Sequence, residues 1–144
     1  MANLILIKDT LAPDLARKLR AVSNRKPLLD AMGQAVKSLA VRAFTEAGLR
    51  PSTWEKRQVE PADGHLLLQD STMLIKSIRV ISVDDNQVTI GSDRPYAAAH
   101  QLGYPENNLP ARPYLPFDAA GALTPKGKTA VERSLRAGLA AHGL

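Results

Sequence analysis

The stretch from Pro27 to Pro51 limits the fold of this chain more than any other. Leu28, Met32, Ala35/Val36, Leu39 and Ala43 recur at three- and four-residue spacing, while Asp30, Gln34, Lys37 and Arg42 avoid that stripe. Pro27 is placed to open the helix, and Gly48 with Pro51 to stop it, so the pattern predicts a helix over residues 27–47. A long helix with one apolar face needs another apolar surface to lie on. The rest of the chain must supply it, and with only 4% aromatic residues the contact has to be built mainly from Leu, Ile, Val and Ala.

Two strand signals offer that surface. Leu4 to Ile7 is short, partly β-branched and ended by charge. Ile78 and Val80 alternate with Arg79, Asp84-Asp85-Asn86 brings turn chemistry, and Val88 and Ile90 resume the alternation before Gly91, which predicts a β-hairpin over 77–91. Thr10 suits an N-cap for a first helix over 11–22, with Pro13 and Asp14 in its first turn and Leu11, Leu15, Leu19 and Val22 on one face. Pro95 starts a short helix to about Leu102, stopped by Gly103, and Pro105, Pro110, Pro113 and Pro116 hold the following segment extended. Thr124-Pro125 opens an amphipathic helix over 125–141, with Val131, Leu135 and Leu139 on one side and Lys126, Lys128, Arg133 and Arg136 on the others. Residues 49–70 lack periodicity and read as one long loop of the kind that serves assembly or orders against a neighbour. The expected fold is one α+β domain spanning 1–144. In it a small antiparallel sheet with a β-hairpin packs against a long N-terminal helical segment and a C-terminal amphipathic helix.

Reactive chemistry is hard to place in this chain. The absence of cysteine removes thiolate catalysis, disulfides and Cys-ligated zinc. His65, His100 and His142 have no metal-ligand spacing. Ser71, His100 and Asp93 can be written as a triad, but no nucleophile elbow surrounds the serine, and there is no P-loop or G-x-G-x-x-G. Asp84-Asp85 is a carboxylate pair where a hairpin turn wants aspartate. We expect no enzyme, no cofactor and no metal. The apolar run at Leu4–Ile7 is too short for a signal peptide and no segment is long enough to span a bilayer, so a soluble protein made in the cytoplasm, with no membrane partner, is expected.

The charge is unevenly spread. Residues 1–60 carry eleven Lys/Arg against six Asp/Glu, residues 61–120 four against seven, and residues 121–144 four against one. Such a basic–acidic–basic chain suits complementary patches on neighbouring copies, since opposed potentials steer docking and fix register. It also suits phosphate contact through the cluster Lys126, Lys128, Arg133 and Arg136 or through Arg17, Lys18, Arg20, Arg25 and Lys26. Stacking aromatics and DNA-binding motifs are lacking, which makes nucleic-acid binding the alternative reading.

Local physics does not predict two further stretches. One is Ile90-Gly91-Ser92-Asp93-Arg94-Pro95-Tyr96-Ala97-Ala98-Ala99-His100-Gln101-Leu102-Gly103, and the other is Leu109-Pro110-Ala111-Arg112-Pro113-Tyr114-Leu115-Pro116-Phe117. Together they resemble the phage virion morphogenesis family, the tail-completion or neck proteins of long-tailed bacteriophages. The resemblance extends loosely upstream through Phe44, Trp54 and Leu67-Leu68-Gln69-Asp70-Ser71, and departs where the family has Thr-Gly near Ser71-Thr72. It implies a structural protein of the virion neck or tail, assembled in the bacterial host's cytoplasm. Such a protein forms a homo-oligomeric ring, hexameric or dodecameric, between connector and tail proteins, with non-specific DNA contact as a side possibility. The residues that carry it are Tyr96, His100, Gln101, Gly103, Arg112, Pro113 and Tyr114. Tyr96 and His100 are spaced to share a helix face, and Arg112 between two prolines suits a bidentate carboxylate contact. A braced corner holding the C-terminal helix on the sheet explains the same residues equally well.

Overall fold

The computed structural model describes residues 3–7, 11–56, 73–118 and 122–144. Strand β1 (Asn3–Ile7) precedes helices α1 (Pro13–Arg20) and α2 (Lys26–Ala43). A 3-10 turn (Ala47–Leu49) follows, then helix α3 (Met73–Ser77), strands β2 (Arg79–Val83) and β3 (Gln87–Gly91), helix α4 (Ala97–Leu102) and helix α5 (Pro125–Ala140). The expected α+β architecture is observed. The sheet has three strands in the order β1-β3-β2, both pairs antiparallel, with Leu4 opposite Ile90 and Val83 opposite Val88. The β2–β3 register shifts between Val80 and Ser82, an irregularity that bends an edge strand.

Helix α2 is the centre of the molecule, in contact with β2, β3 and α5. Leu29, Met32, Val36 and Ala40 are buried along it beside Val88 and Ile90 of the sheet, Leu15 and Leu19 of α1, and Leu135 and Leu139 of α5. Full burial of each leucine stabilises the fold by about 1.5–3 kcal/mol, before conformational entropy is charged against it. The close approach of helix to sheet is made at Gly33. A Cβ there would lie 2.7 Å from Val88 Cγ2 and 3.1 Å from Val80 Cγ2.

Helix α2 ends at Ala43, four residues before the expected stop, and Gly48 sits in the 3-10 turn instead of terminating the helix. The side chain of Arg50 explains this. Its Nε and Nη2 donate to the carbonyls of Ala43 and Phe44 at 2.7 and 3.1 Å, satisfying groups a glycine cap would have served. The same guanidinium lies over the Trp54 ring, 3.7 Å from its centroid.

Other boundaries shift for local reasons. Helix α1 is shorter than 11–22, and its N-cap is Ala12 with no side-chain bond, while Thr10 lies outside the described residues. Residues 73–77 are helical, so the hairpin begins at Arg79 rather than Ser77. Asp84 Oδ1 accepts from the amides of Asn86 and Gln87, as a tight turn requires, and those bonds hold its carboxyl below the usual range. The proline-braced segment is not uniformly extended. Pro105–Asn107 forms a 3-10 turn inside a loop closed by the Tyr104–Leu109 bridge. Thr124 caps α5, accepting from the Gly127 amide. Of the expected loop, residues 57–70 lie outside the described residues, and Trp54 before them is buried.

Candidate assembly site

Seven residues singled out in the sequence meet at one corner, where α4 crosses the chain from Ala111 to Phe117. Gln101 is its centre. Its Oε1 accepts from the backbone amides of Tyr114 and Leu115 at 3.0 and 2.9 Å, and its Nε2 donates to the Leu115 carbonyl at 3.2 Å. An extended strand beside a short helix has no ladder partner, and one amide side chain supplies it. Tyr114, fully buried, donates its hydroxyl to the Ala97 carbonyl at 3.1 Å, and burial raises the phenol's pKa. Its ring lies against Phe44 at 5.3 Å between centroids, and Phe44 meets Trp54 edge-on at 5.9 Å. Trp54 Nε1 donates to the Pro113 carbonyl at 2.7 Å, so both sides of the 111–117 segment are tied down.

Gly103 ends α4 with φ at +81°, and a Cβ there would stand 3.0 Å from the Ala111 nitrogen. Only glycine serves both the left-handed turn and that approach. Arg112 donates its amide to the His100 carbonyl at 2.8 Å and its Nε to the Glu55 carbonyl at 2.9 Å. The residue is 8% exposed. His100 is half-buried, with the Tyr96 ring edge-on at 5.9 Å. Desolvation first, and the Arg112 charge second, hold its pKa below 6.5, favouring the neutral imidazole. Its Nδ1 is buried without a hydrogen-bond partner, as are Arg94 Nε and Glu132 Oε1.

Around this polar corner the surface turns apolar. Leu102 is 62% exposed, Tyr104 44% and Tyr96 39%. A cavity of about 320 Å³ opens at Leu102, lined by Pro51, Ala111, Pro113 and Phe117 together with the polar Ser52, Gln101 and Asp118.

The basic cluster belongs to a different place. Lys128, Arg133 and Arg136 are exposed on α5, whose Val131, Leu135 and Leu139 face the core. Lys126 reaches back to the Gly48 carbonyl, and with Arg42 and Arg133 it lines a groove of about 340 Å³ between α5 and α2. The other basic group is partly spent on structure. Arg25 bonds the Arg20 and Asp85 carbonyls and Asn86 Oδ1, tying the α1–α2 link to the hairpin tip.

The written triad does not assemble among the described residues. Asp93 pairs with Arg79 at 3.3 Å, His100 Nδ1 meets no acceptor, and Ser71 lies outside them. No group of three or more potential metal ligands occurs among the described residues, and no described helix is long and apolar enough to cross a membrane. Sequence reasoning missed the Arg50 clamp and the buried Ser77–Ser92 hydroxyl pair at 2.6 Å, which also holds the Arg94 amide. An arginine four residues before a lone tryptophan was the available signal for the first, and nothing marked the second.

The model of the phage virion morphogenesis family matches residues 7–139. Mu-like prophage FluMu G protein 2 of Haemophilus influenzae is 32% identical over 117 residues, covering 76% of this chain and 80% of that protein. No solved structure gives a significant match.

Proposed function

Because the chain belongs to the phage virion morphogenesis family, we propose that it is a structural subunit closing into a ring at the head–tail junction, where it joins tail to capsid. Family membership supports a part in bacteriophage virion assembly. The observation that carries the finer reading is the corner itself. Gln101 and Tyr114 spend their polar groups on its backbone, yet it presents Tyr96, Leu102 and Tyr104 to solvent, with Leu102 lining a mostly apolar cavity. A rigid mount for exposed apolar side chains suits a contact between macromolecules. A ring is a closed heterologous assembly, so each subunit needs two different patches. This corner is a candidate for one of them, and the exposed basic face of α5 is a separate surface.

The test is a lysate from phage carrying a nonsense mutation in this gene, imaged beside wild type. The reading expects unjoined heads and tails, and wild-type particles with this chain as a ring at their junction. Finding the chain elsewhere in the virion, or absent from it, contradicts the reading.

The Arg42–Lys126–Arg133 groove favours a second reading, contact with phage DNA. It expects a gel shift by the purified chain that weakens steeply with salt.

A further inference from the structure

Among the described residues the exposed large apolar side chains are Met73, Tyr96, Leu102, Tyr104 and Leu144. Leu102 and Tyr104 belong to one short turn after α4, residues 102–109, and Glu106 on the same turn is exposed with no ion pair among the described residues. The turn is held in one shape. Tyr104 and Leu109 exchange backbone hydrogen bonds at 2.9 and 3.1 Å around the 3-10 turn Pro105–Asn107, and Asn108 adopts the left-handed conformation at φ +54° that asparagine tolerates. A preset turn loses little conformational freedom on docking, and a tyrosine mounted on it has the area of a contact anchor. It is a knob that is apolar and acidic at once.

A surface of complementary character lies between α2 and α5. The groove of about 340 Å³ has Leu39, Leu49, Pro125 and Ala130 in its lining, with Thr129 beside them. Every charged residue that lines it is a cation: Arg42, Lys126 and Arg133. The chain neutralises little of that charge. Lys126 donates to a neutral carbonyl, that of Gly48, and Arg133 makes no ion pair among the described residues. Arg42 meets Glu46 at 3.1 Å, but both side chains are half-exposed, and a surface pair of that kind is weak enough to be exchanged. Nucleic acid would use the cations and leave the apolar lining unmatched. A protein surface that is both apolar and acidic uses both.

We propose that this groove receives the 102–109 turn of a second copy of this chain, with Leu102 and Tyr104 against the apolar lining and the Glu106 carboxylate among Arg42, Lys126 and Arg133. The proposal rests on the reading that copies of this chain join one another, and it names their contact. An aromatic centre edged by paired charges is how specific interfaces are built, and the opposed charges fix the register. Turn and groove are different surfaces, so the contact is heterologous, as a closed ring requires.

For the test, Tyr104 is replaced by p-benzoylphenylalanine in the full-length chain, and the purified protein and phage-infected cells producing it are irradiated. The contact predicts linked multimers, with the link mapped to α2 or the first half of α5 of a different copy, distinguished by mixing with isotope-labelled chain. Sedimentation is run in parallel. Tyr104→Ala, Glu106→Arg and Arg133→Glu, all at exposed positions, should each weaken self-association by at least about tenfold with an unchanged melting curve. Glu106→Arg combined with Arg133→Glu should recover most of that loss, which damage to the fold would not. Links between copies that map elsewhere, or a Glu106→Arg chain that assembles like wild type, overturn the contact and leave the ring standing. Links at the groove that stop at dimers support the contact and overturn the ring. A chain that links to no second copy, in solution or in infected cells, overturns both. If Arg133→Glu abolishes binding of a short DNA duplex and leaves self-association unchanged, the groove belongs to nucleic acid and the proposal fails.

Discussion

A single amide, that of Gln101, meets three backbone groups of a strand that has no sheet to join. Replacing it with leucine keeps the volume but leaves the Tyr114 and Leu115 amides buried and unpaired. At about 1–3 kcal/mol for each of these two orphaned groups, Gln101→Leu should cost about 2–6 kcal/mol, read as a lower midpoint in urea unfolding with an unchanged slope. His100 makes the opposite kind of contribution, one that depends on pH. Its folded pKa is held below 6.5 by desolvation and by Arg112, so the unfolded chain binds the proton more readily. Stability therefore falls as pH drops through 6.5 towards the folded pKa, and is fully present above 6.5. His100→Gln should flatten that part of the stability–pH curve in denaturant titrations on either side of 6.5. A curve unchanged by the substitution assigns the dependence to another group.

Among the elements, α2 was legible from its stripe because a helix period survives any tertiary context that buries one face. Its end was not. Gly48 and Pro51 satisfy the rules for a helix stop, yet Arg50 folds back on the Ala43 and Phe44 carbonyls and stops the helix early. A long-range side-chain cap leaves no mark in local propensity. The corner was legible only as a pattern. Tyr96, His100, Gln101, Gly103, Arg112, Pro113 and Tyr114 were grouped by resemblance, and the structure gives Gln101 and Tyr114 bonding roles that spacing did not reveal. At Gly33 nothing local shows that Val88 and Val80 press on its backbone. Gly33→Val should push α2 off the sheet and destabilise the fold by about 1–3 kcal/mol despite better helix and burial chemistry. Thermal unfolding of the variant checks this, and a stabilised protein contradicts the helix–sheet contact.

At the scale of the whole molecule, a ring needs its exposed charges to oppose one another, and α5 shows how that need separates from folding. The helix is held by Val131, Leu135 and Leu139 on its inner face, while Arg133 and Arg136 stand in solvent with no ion pair among the described residues. Reversing both, Arg133→Glu with Arg136→Glu, leaves the packed face intact and should move stability by no more than about 0.5 kcal/mol per site. The same change turns a basic surface acidic, and like charges across a joint with a neighbouring copy's acidic middle segment repel. Ring formation should fail, and the variant should not rescue phage lacking the gene. Exposed charges are screened over about 10 Å at 0.1 M ionic strength. Added salt should thus restore part of the assembly lost with Arg133→Glu/Arg136→Glu, and sedimentation of the variant across a salt series measures it. If the double variant assembles and yields infectious particles like wild type, α5 presents no charged patch to a neighbouring copy.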